Sequence, residues 1–325
     1  MKSLLRKLAV LSIGFLSLSA QAQAEDTVRY ATDGYGLGAL IVVASENGYL
    51  KDEGINPVIQ TYSYGVDTVD AVLAGQADFG VIMDFPILTR FSAGKLTSPA
   101  IIGEPLPGWH KLYAHAGLKT AEDFKGKSFG VATGTAQDFV TRRYLAQLGL
   151  DPDKDVKLIS FADLFSIVGA LKGGQLDAAW IWGEGVDAVK DDSKFAFLAD
   201  DGVVTETSSA LLVTTKEYDA AHHDIIVKTL KALQKGTDAI GADSAKAAEV
   251  VANKLGADVV KVKSAIDDNR YRLSFAAGPV ASLKSKYEFL VNSGKIEAYD
   301  FAAQFSTKPL AEAVPGAEID GSLKK

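Results

Sequence analysis

The sequence predicts an α/β fold built as two lobes, and three observations lead to it. Short apolar runs alternate with amphipathic stretches from Val28 onward, the same order restarts near Lys127, and one fragment occurs twice. The repeated fragment is VLAGQADFGVIMD (residues 72–84) and ALKGGQLDAAWIWG (residues 170–183). Each copy reads helix end, glycine, Gln-x-Asp, buried strand, loop, as expected of two similar lobes with one sheet each.

The elements follow in order. VRYAT, from Val28, is a strand, and LGALIVVASENG after it is a helix that Gly48 ends. NPVIQTY is a strand, and the helix from Val66 to Leu73 stops at Gly75. DFGVIM is apolar throughout, the pattern of a strand covered on both faces. A helix over Phe85 to Ser92 and the strand PAIIGE complete the first series. The second series is KSFGVAT (strand), TAQDFVTRRYLAQLG (helix) and VKLISF (strand), then a helix from Leu164 to Leu171. LDAAWIW (buried strand), EGVDAVK (helix) and FAFLAD (strand) finish it. SALLVTT is one more strand. Beyond it HHDIIVKTLKALQKGTDAI, SAKAAEVVANKLG and VASLKSKYEFLVNSG carry apolar stripes at helical spacing and should cover the first lobe. The final twenty residues are punctuated by Pro and Gly and are expected to lie along the surface or fray. Asp78 and Asp177, which open the two echoed strands, read as turn and cap residues.

Residues 1–24 read as a secretory signal peptide. Lys2, Arg6 and Lys7 precede the apolar run Leu8 to Ala20, and Ala22-Gln23-Ala24 supplies a small-x-small cleavage site. Export to the periplasm of a Gram-negative cell follows as an expectation, because the chain has no cysteine and hence no lipid attachment site. The formal charge of −7 becomes −10 once those three cations are removed, which disfavours nucleic acid as a partner. Lack of cysteine also excludes disulfides and thiolate chemistry. The four histidines, His110, His115, His222 and His223, show no spacing typical of a catalytic metal site, and no nucleophile–base pair is readable.

Three segments carry a family resemblance: residues 46–81 (ENGYLKDEGINPVIQTY…AGQADFGV), 118–152 (LKTAEDFKGKSFGVATGTAQDF…LGLDP) and 171–185 (LKGGQLDAAWIWGEG). With the order of elements they resemble the substrate-binding proteins of ABC transporters for nitrate, alkanesulfonates, taurine and the thiamine pyrimidine precursor. The resemblance covers roughly Val28 to Asp200. It implies a type II periplasmic binding protein fold, two α/β lobes joined by a hinge of two crossings. Lobe one would comprise residues 25–113 and 207–325 and lobe two residues 114–206, with crossings near Tyr113–Gly117 and Val203–Ser208. It further implies a small-molecule ligand between the lobes, an inner-membrane ABC permease as partner, a monomer, no cofactor and no catalysis. Pyrimidine synthases that share the pattern carry a cysteine-rich iron site, which this chain lacks.

Ligands of open parallel sheets sit beyond the carboxyl ends of the strands. That rule selects Asp33, Gly34 and Tyr35 after the first strand, where glycine admits close backbone approach and Tyr35 can stack. It selects Asp84 and Phe85 after DFGVIM, where Asp84 can cap a helix, touch ligand or do both. It also selects Phe161 at a strand end. Trp109 and His110 are candidates beside the hinge. Thr133, Gly134, Thr135 and Ala136 lie between strand and helix, where N–H groups, two hydroxyls and the helix dipole suit an anion. That turn resembles the oxyanion-binding turn of sulfonate and nitrate binders. The resemblance also places Trp182 and Glu184 at the cleft, as an aromatic and an acid. Three carboxylates and no basic residue in these loops favour a taurine-like zwitterion, its acid on residues 133–136 and its amine near Asp33, Asp84 or Glu184. An aminopyrimidine or another small aromatic acid, stacked between Tyr35 and Trp182, is the alternative.

Overall fold

The computed structural model describes residues 26–33, 36–62, 65–133, 135–204 and 208–323. The expected signal peptide therefore lies outside the described residues, as do Gly34, Tyr35 and Gly134.

The first series forms β1 (Asp26–Thr32), α1 (Ala39–Glu46), α2 (Tyr49–Asp52), β2 (Ile55–Thr61), α3 (Gly65–Leu73), β3 (Phe79–Met83), α4 (Asp84–Phe91) and β4 (Leu96–Pro105). The second forms β5 (Lys111–His115), α5 (Ala121–Phe124), β6 (Ser128–Val131), α6 (Ala136–Gln147) and β7 (Lys157–Ser160). It continues through α7 (Leu164–Lys172), β8 (Ala178–Ile181), α8 (Glu184–Asp187) and β9 (Phe195–Asp200). After these come β10 (Ala210–Thr215), α9 (Lys216–Ala221), α10 (His223–Ala242), α11 (Ser244–Leu255) and α12 (Val259–Asp267). The chain closes with β11 (Asn269–Ser274), α13 (Ala277–Asn292) and α14 (Thr307–Ala313).

Two sheets result, in the orders β11-β4-β10-β3-β1-β2 and β7-β6-β8-β5-β9. In the first, β1 runs parallel to β2 and β3; in the second, β6 runs parallel to β7 and β8. The repeated Gln-x-Asp fragment has the same local structure in both. Gly75 and Gly174 take φ of 70° and 73°, left-handed conformations that glycine adopts without Cβ strain as each helix ends. The Asp78 carboxylate then accepts the Arg29 backbone N–H at 2.8 Å, and Asp177 accepts the Ser128 N–H at 2.8 Å. Each aspartate thus fastens its loop to the neighbouring parallel strand, on the side of the sheet away from the crossings. Their chemistry is turn chemistry.

Three strands depart from the all-parallel pattern, and for two of them the reason is topological. β10 is antiparallel to β3 and β4, β5 is antiparallel to β8 and β9, and the edge strand β11 is antiparallel to β4. β5 and β10 are each the first strand after the chain passes from one sheet to the other. A strand entered from the crossing side must run away from it, opposite to strands that point their carboxyl ends at it. The first crossing is Leu106–His110, because Lys111–His115, placed across a lobe boundary by sequence, pairs with Ile181 and Asp200 inside the second sheet. The second begins at Asp201, after β9.

Two further differences concern the C-terminal third. β11 is not legible in the sequence, since NRYRLS has little apolar alternation; it pairs with β4 as an edge strand. Residues 306–323 do not fray: Leu310 and Leu323 are buried, and Phe275 N–H donates to Glu318 O at 2.8 Å while Asp320 N–H donates to Phe275 O at 2.8 Å. One continuous apolar core covers the first sheet and extends through Phe139 to Trp180 and Phe129 on one face of the second. The other face of the second sheet has its own smaller core around Tyr113, Ile167 and Ile181.

Candidate functional site

The crossings connect the ends of the sheets at which β1, β3, β4, β6, β8 and β9 finish. The site residues selected from the sequence and described by the structure belong to that region, and each has a specific environment.

At the start of α6, Thr135 is the residue before the helix but does not cap it; its Oγ1 donates backwards to Ala132 O at 2.6 Å. The Ala136 and Gln137 N–H groups consequently have no acceptor among the described residues. Gln137, absent from the sequence-selected set, holds this turn in place. Its buried side chain accepts from Ala132 N at 2.9 Å and donates to Gly130 O at 2.8 Å and Trp180 O at 3.1 Å, bracing the turn against β6 and β8. Thr133 Oγ1 donates to Ser160 Oγ at 2.7 Å, tying in the end of β7. The result is a fastened helix N-terminus whose first donors have no acceptor among the described residues, a geometry open to an anion. Asp138 in the same turn does not compete as a bare charge, because Arg142 Nε binds it at 2.8 Å and continues to Asp153.

The acids differ from one another. Asp84 is buried, accepts the Phe85 N–H at 2.8 Å and the Ser209 N–H at 3.0 Å, and meets the Lys286 Nζ of α13 at 2.6 Å. Both side chains of that ion pair are almost fully buried, so the charge of Asp84 is matched inside the first lobe. As the first residue of α4, preceded by Met83 with no side-chain cap, it satisfies the adjacent Phe85 N–H and clamps α4 to Ser209 and α13. Asp33 follows β1; burial pushes its carboxyl up to about 7, although the Gly38 N–H and its own N–H pull the other way. Its Oδ1 and the neighbouring Thr32 Oγ1 are buried without partners, against Gly38, where a Cβ would fall about 2 Å from both oxygens. Glu184, at the start of α8, is exposed and makes no side-chain hydrogen bond or ion pair among the described residues. Of the three carboxylates expected to face ligand, only Glu184 is both open to water and uncommitted.

Aromatic groups divide likewise. Phe85 is buried at the contact between the lobes, 5.4 Å from Phe139 of α6 and 6.2 Å from Phe289 of α13, while Phe139 and Phe289 lie 5.4 Å apart. Arg143 reinforces this contact by donating to Ser285 Oγ at 2.8 Å. Trp182 is half-buried and edge-on to His110 at 5.3 Å. Trp109 is 49% exposed, and Phe165 in the first turn of α7 is 67% exposed. Phe161 is half-buried, packed on the smaller core. Sequence reasoning misses Phe165 because LFSIVGALK reads as an ordinary apolar helix face.

It misses Asp201 as well, and that residue organises the hinge. Its carboxylate accepts Gly108 N–H at 2.6 Å, His110 N–H at 2.9 Å and His110 Nδ1 at 3.0 Å, so one side chain binds both crossings. Burial alone would raise this carboxyl, but the His110 and Gly108 hydrogen bonds outweigh it and hold it below the usual range. Among the described residues no group of His, Cys, Asp and Glu could hold a metal ion, and no helix is long and apolar enough to cross a membrane.

Comparison with known proteins places this arrangement in context. Residues 38–247 match the family described as NMT1/THI5 like. A Brucella abortus (strain 2308) protein named only as a binding protein is 29% identical over 190 residues, 57% of each chain; the chain thus spans little more than half the length of that relative. The taurine-binding periplasmic protein of Escherichia coli (strain K12) is 21% identical over 224 residues, 68% of each chain. Among solved structures, the periplasmic aliphatic sulphonate-binding protein SsuA of Escherichia coli superposes with a TM-score of 0.69 at 17% identity, covering 84% of this chain and 94% of that one. The desulfurization enzyme DSZB superposes with a TM-score of 0.62 at 15% identity, covering 89% of this chain and 98% of that one. The fold is that of the periplasmic binding proteins, and this architecture also carries an enzyme.

Proposed function

We propose that this chain, which belongs to the NMT1/THI5-like family, is the solute-binding component of an ABC importer and holds a small organic acid between its lobes without altering it. The observation that carries the proposal is the fastened, uncapped start of α6, whose N–H donors at the carboxyl ends of the second sheet have no acceptor among the described residues. A sulfonate or carboxylate would accept from those donors, while the Thr133 and Thr135 hydroxyls, which donate to Ser160 Oγ and Ala132 O, would hold the turn in shape around it. The exposed rings of Trp109 and Phe165, with Trp182, would cover the organic part of the ligand.

The internal pairing of Asp84 and the burial of Asp33 shift the preferred ligand within this class. An amine on the ligand would have Glu184 as its one exposed carboxylate, so an acid with an apolar or aromatic body is favoured over a taurine-like zwitterion. Glu184 beside Trp182 supports the second reading, a heteroaromatic ligand such as an aminopyrimidine, which would stack on the indole and donate to the acid. Lobe two would comprise the second sheet and its helices, and the crossings at Leu106–His110 and from Asp201 would be the hinge. Export to the periplasm, delivery to an inner-membrane permease and a monomeric state complete the proposal.

A thermal-shift panel of alkyl and aryl sulfonates, carboxylates, taurine, aminopyrimidines and nitrate tests it, because a ligand bound only to the folded state raises the melting temperature. An organic acid should stabilise the protein, be recovered unchanged, and lose most of its effect in Thr135→Pro, which alters the turn and removes its hydroxyl. Stabilisation by nitrate alone, or consumption of the stabilising compound, would overturn the reading.

A further inference from the structure

We infer that the two lobes are latched together at a third place besides the two crossings, so that the ligand-free protein holds one fixed angle between them. The crossings lie side by side, bound to one another by Asp201. Two adjacent connections by themselves leave rotation about them free. The third contact is made elsewhere, in the helix layer. There α6, which packs on β6 and β8, meets α13 and α4, and α4 in turn packs on β3 and β4. A contact set away from the line of a hinge fixes its angle.

Phe139 of α6 is the plug of this latch. It belongs to the second lobe and is only 2% exposed. Its ring stands 5.4 Å from Phe85 and 5.4 Å from Phe289, both of the first lobe, which are 6.2 Å from one another. Swinging the lobes apart would bring this apolar ring into water. Both halves of the contact are stiffly held. In the first lobe, the buried Asp84–Lys286 ion pair ties the start of α4, which carries Phe85, to the turn of α13 that carries Phe289. In the second, the Gln137 side chain donates to Gly130 O and Trp180 O and so fixes the first turn of α6, with Phe139, to β6 and β8. Arg143, one helical turn beyond Phe139, closes the rim. Its guanidinium carbon lies 5.4 Å from the centre of the Phe139 ring, and it donates to Ser285 Oγ of α13 at 2.8 Å. Edge-on rings and a cation over a ring favour one arrangement over its neighbours, and close-packed side chains do not slide continuously past one another.

Under the proposed binding function, the α6 turn is then already set opposite the first lobe before a ligand arrives, and binding proceeds without a large rigid-body closure. That consequence rests on the binding reading; the latch itself does not.

Double electron–electron resonance on the purified, ligand-free protein tests the latch. The chain has no cysteine, so Val58→Cys with Ile159→Cys, exposed positions on the edge strands β2 and β7 of the two sheets, takes one spin label on each lobe. The label-to-label distance should be single and narrow. It should broaden by several ångströms in Phe289→Ala and in Arg143→Ala with Ser285→Ala, both checked for retained fold by circular dichroism. Ile167→Ala, in the separate core of the second sheet, should lower the melting temperature and leave the distance narrow. A broad or two-peaked distance with the latch intact overturns the inference. So does a distance that stays narrow in both latch variants, or one that broadens equally in Ile167→Ala. None of these outcomes bears on whether the cleft holds an organic acid, which the thermal-shift panel tests independently.

Discussion

A buried carboxylate is defined by what it faces, and Asp84 and Asp33 illustrate two outcomes. Asp84 is paired with Lys286 where neither side chain reaches water. Removing one partner strands a charge, so Lys286→Met should destabilise the fold by about 3–5 kcal/mol in chemical denaturation, whereas Asp84→Asn with Lys286→Met should recover most of that loss. Asp33 meets no cation among the described residues, and burial raises its carboxyl to about 7. Between its unfolded value near 4 and that raised value, the folded protein keeps a proton that the unfolded chain releases. Wild-type stability attributable to this group therefore falls as pH rises from about 4 to about 7 and then levels off. Asp33→Asn should raise the melting temperature most above about pH 7 and least near about pH 4; a gain independent of pH would show the carboxyl to be ordinary. The sequence reveals both acids and their strand-end positions, but not their partners. Lys286 lies 202 residues from Asp84 in an unremarkable helix, and burial of Asp33 depends on how closely Gly38 packs against it.

Elements are legible where local pattern determines them and obscure where the opposite lobe does. Helix stops at Gly75 and Gly174 follow from left-handed glycine, and the echoed Asp78 and Asp177 follow from strand-start chemistry. The antiparallel course of β5 and β10 does not, since it depends on which side of a sheet the chain arrives from. β11 and the docked C-terminus are obscured because their apolar residues are few and their partners, β4 and Phe275, are distant. The α6 turn is legible as an open strand-to-helix turn, but the Gln137 brace is not. Gln137→Leu leaves Ala132 N–H without its buried acceptor, which should cost about 1–3 kcal/mol and weaken ligand binding by loosening the turn. Unchanged affinity and stability in that variant would remove Gln137 from the site. Phe139 bridges the lobes through Phe85 and Phe289, so Phe139→Ala should cost about 3–5 kcal/mol in global stability.

At the scale of the whole molecule, two sheets are joined by two crossings, and Asp201 binds those crossings together. Asp201→Asn retains the shape but removes the charge that His110 faces. It should leave each lobe folded while changing ligand affinity through the hinge, which calorimetry with the stabilising acid would report. The binding account stands on one claim, that a single ligand touches both lobes. Hydrogen–deuterium exchange with and without the stabilising acid tests that claim directly. The expected result is slowed exchange at residues 133–138 and 182–185 of the second sheet's loops, together with residues 32–38 or 83–85 of the first. Protection confined to one lobe, with the other unchanged at saturation, would contradict it.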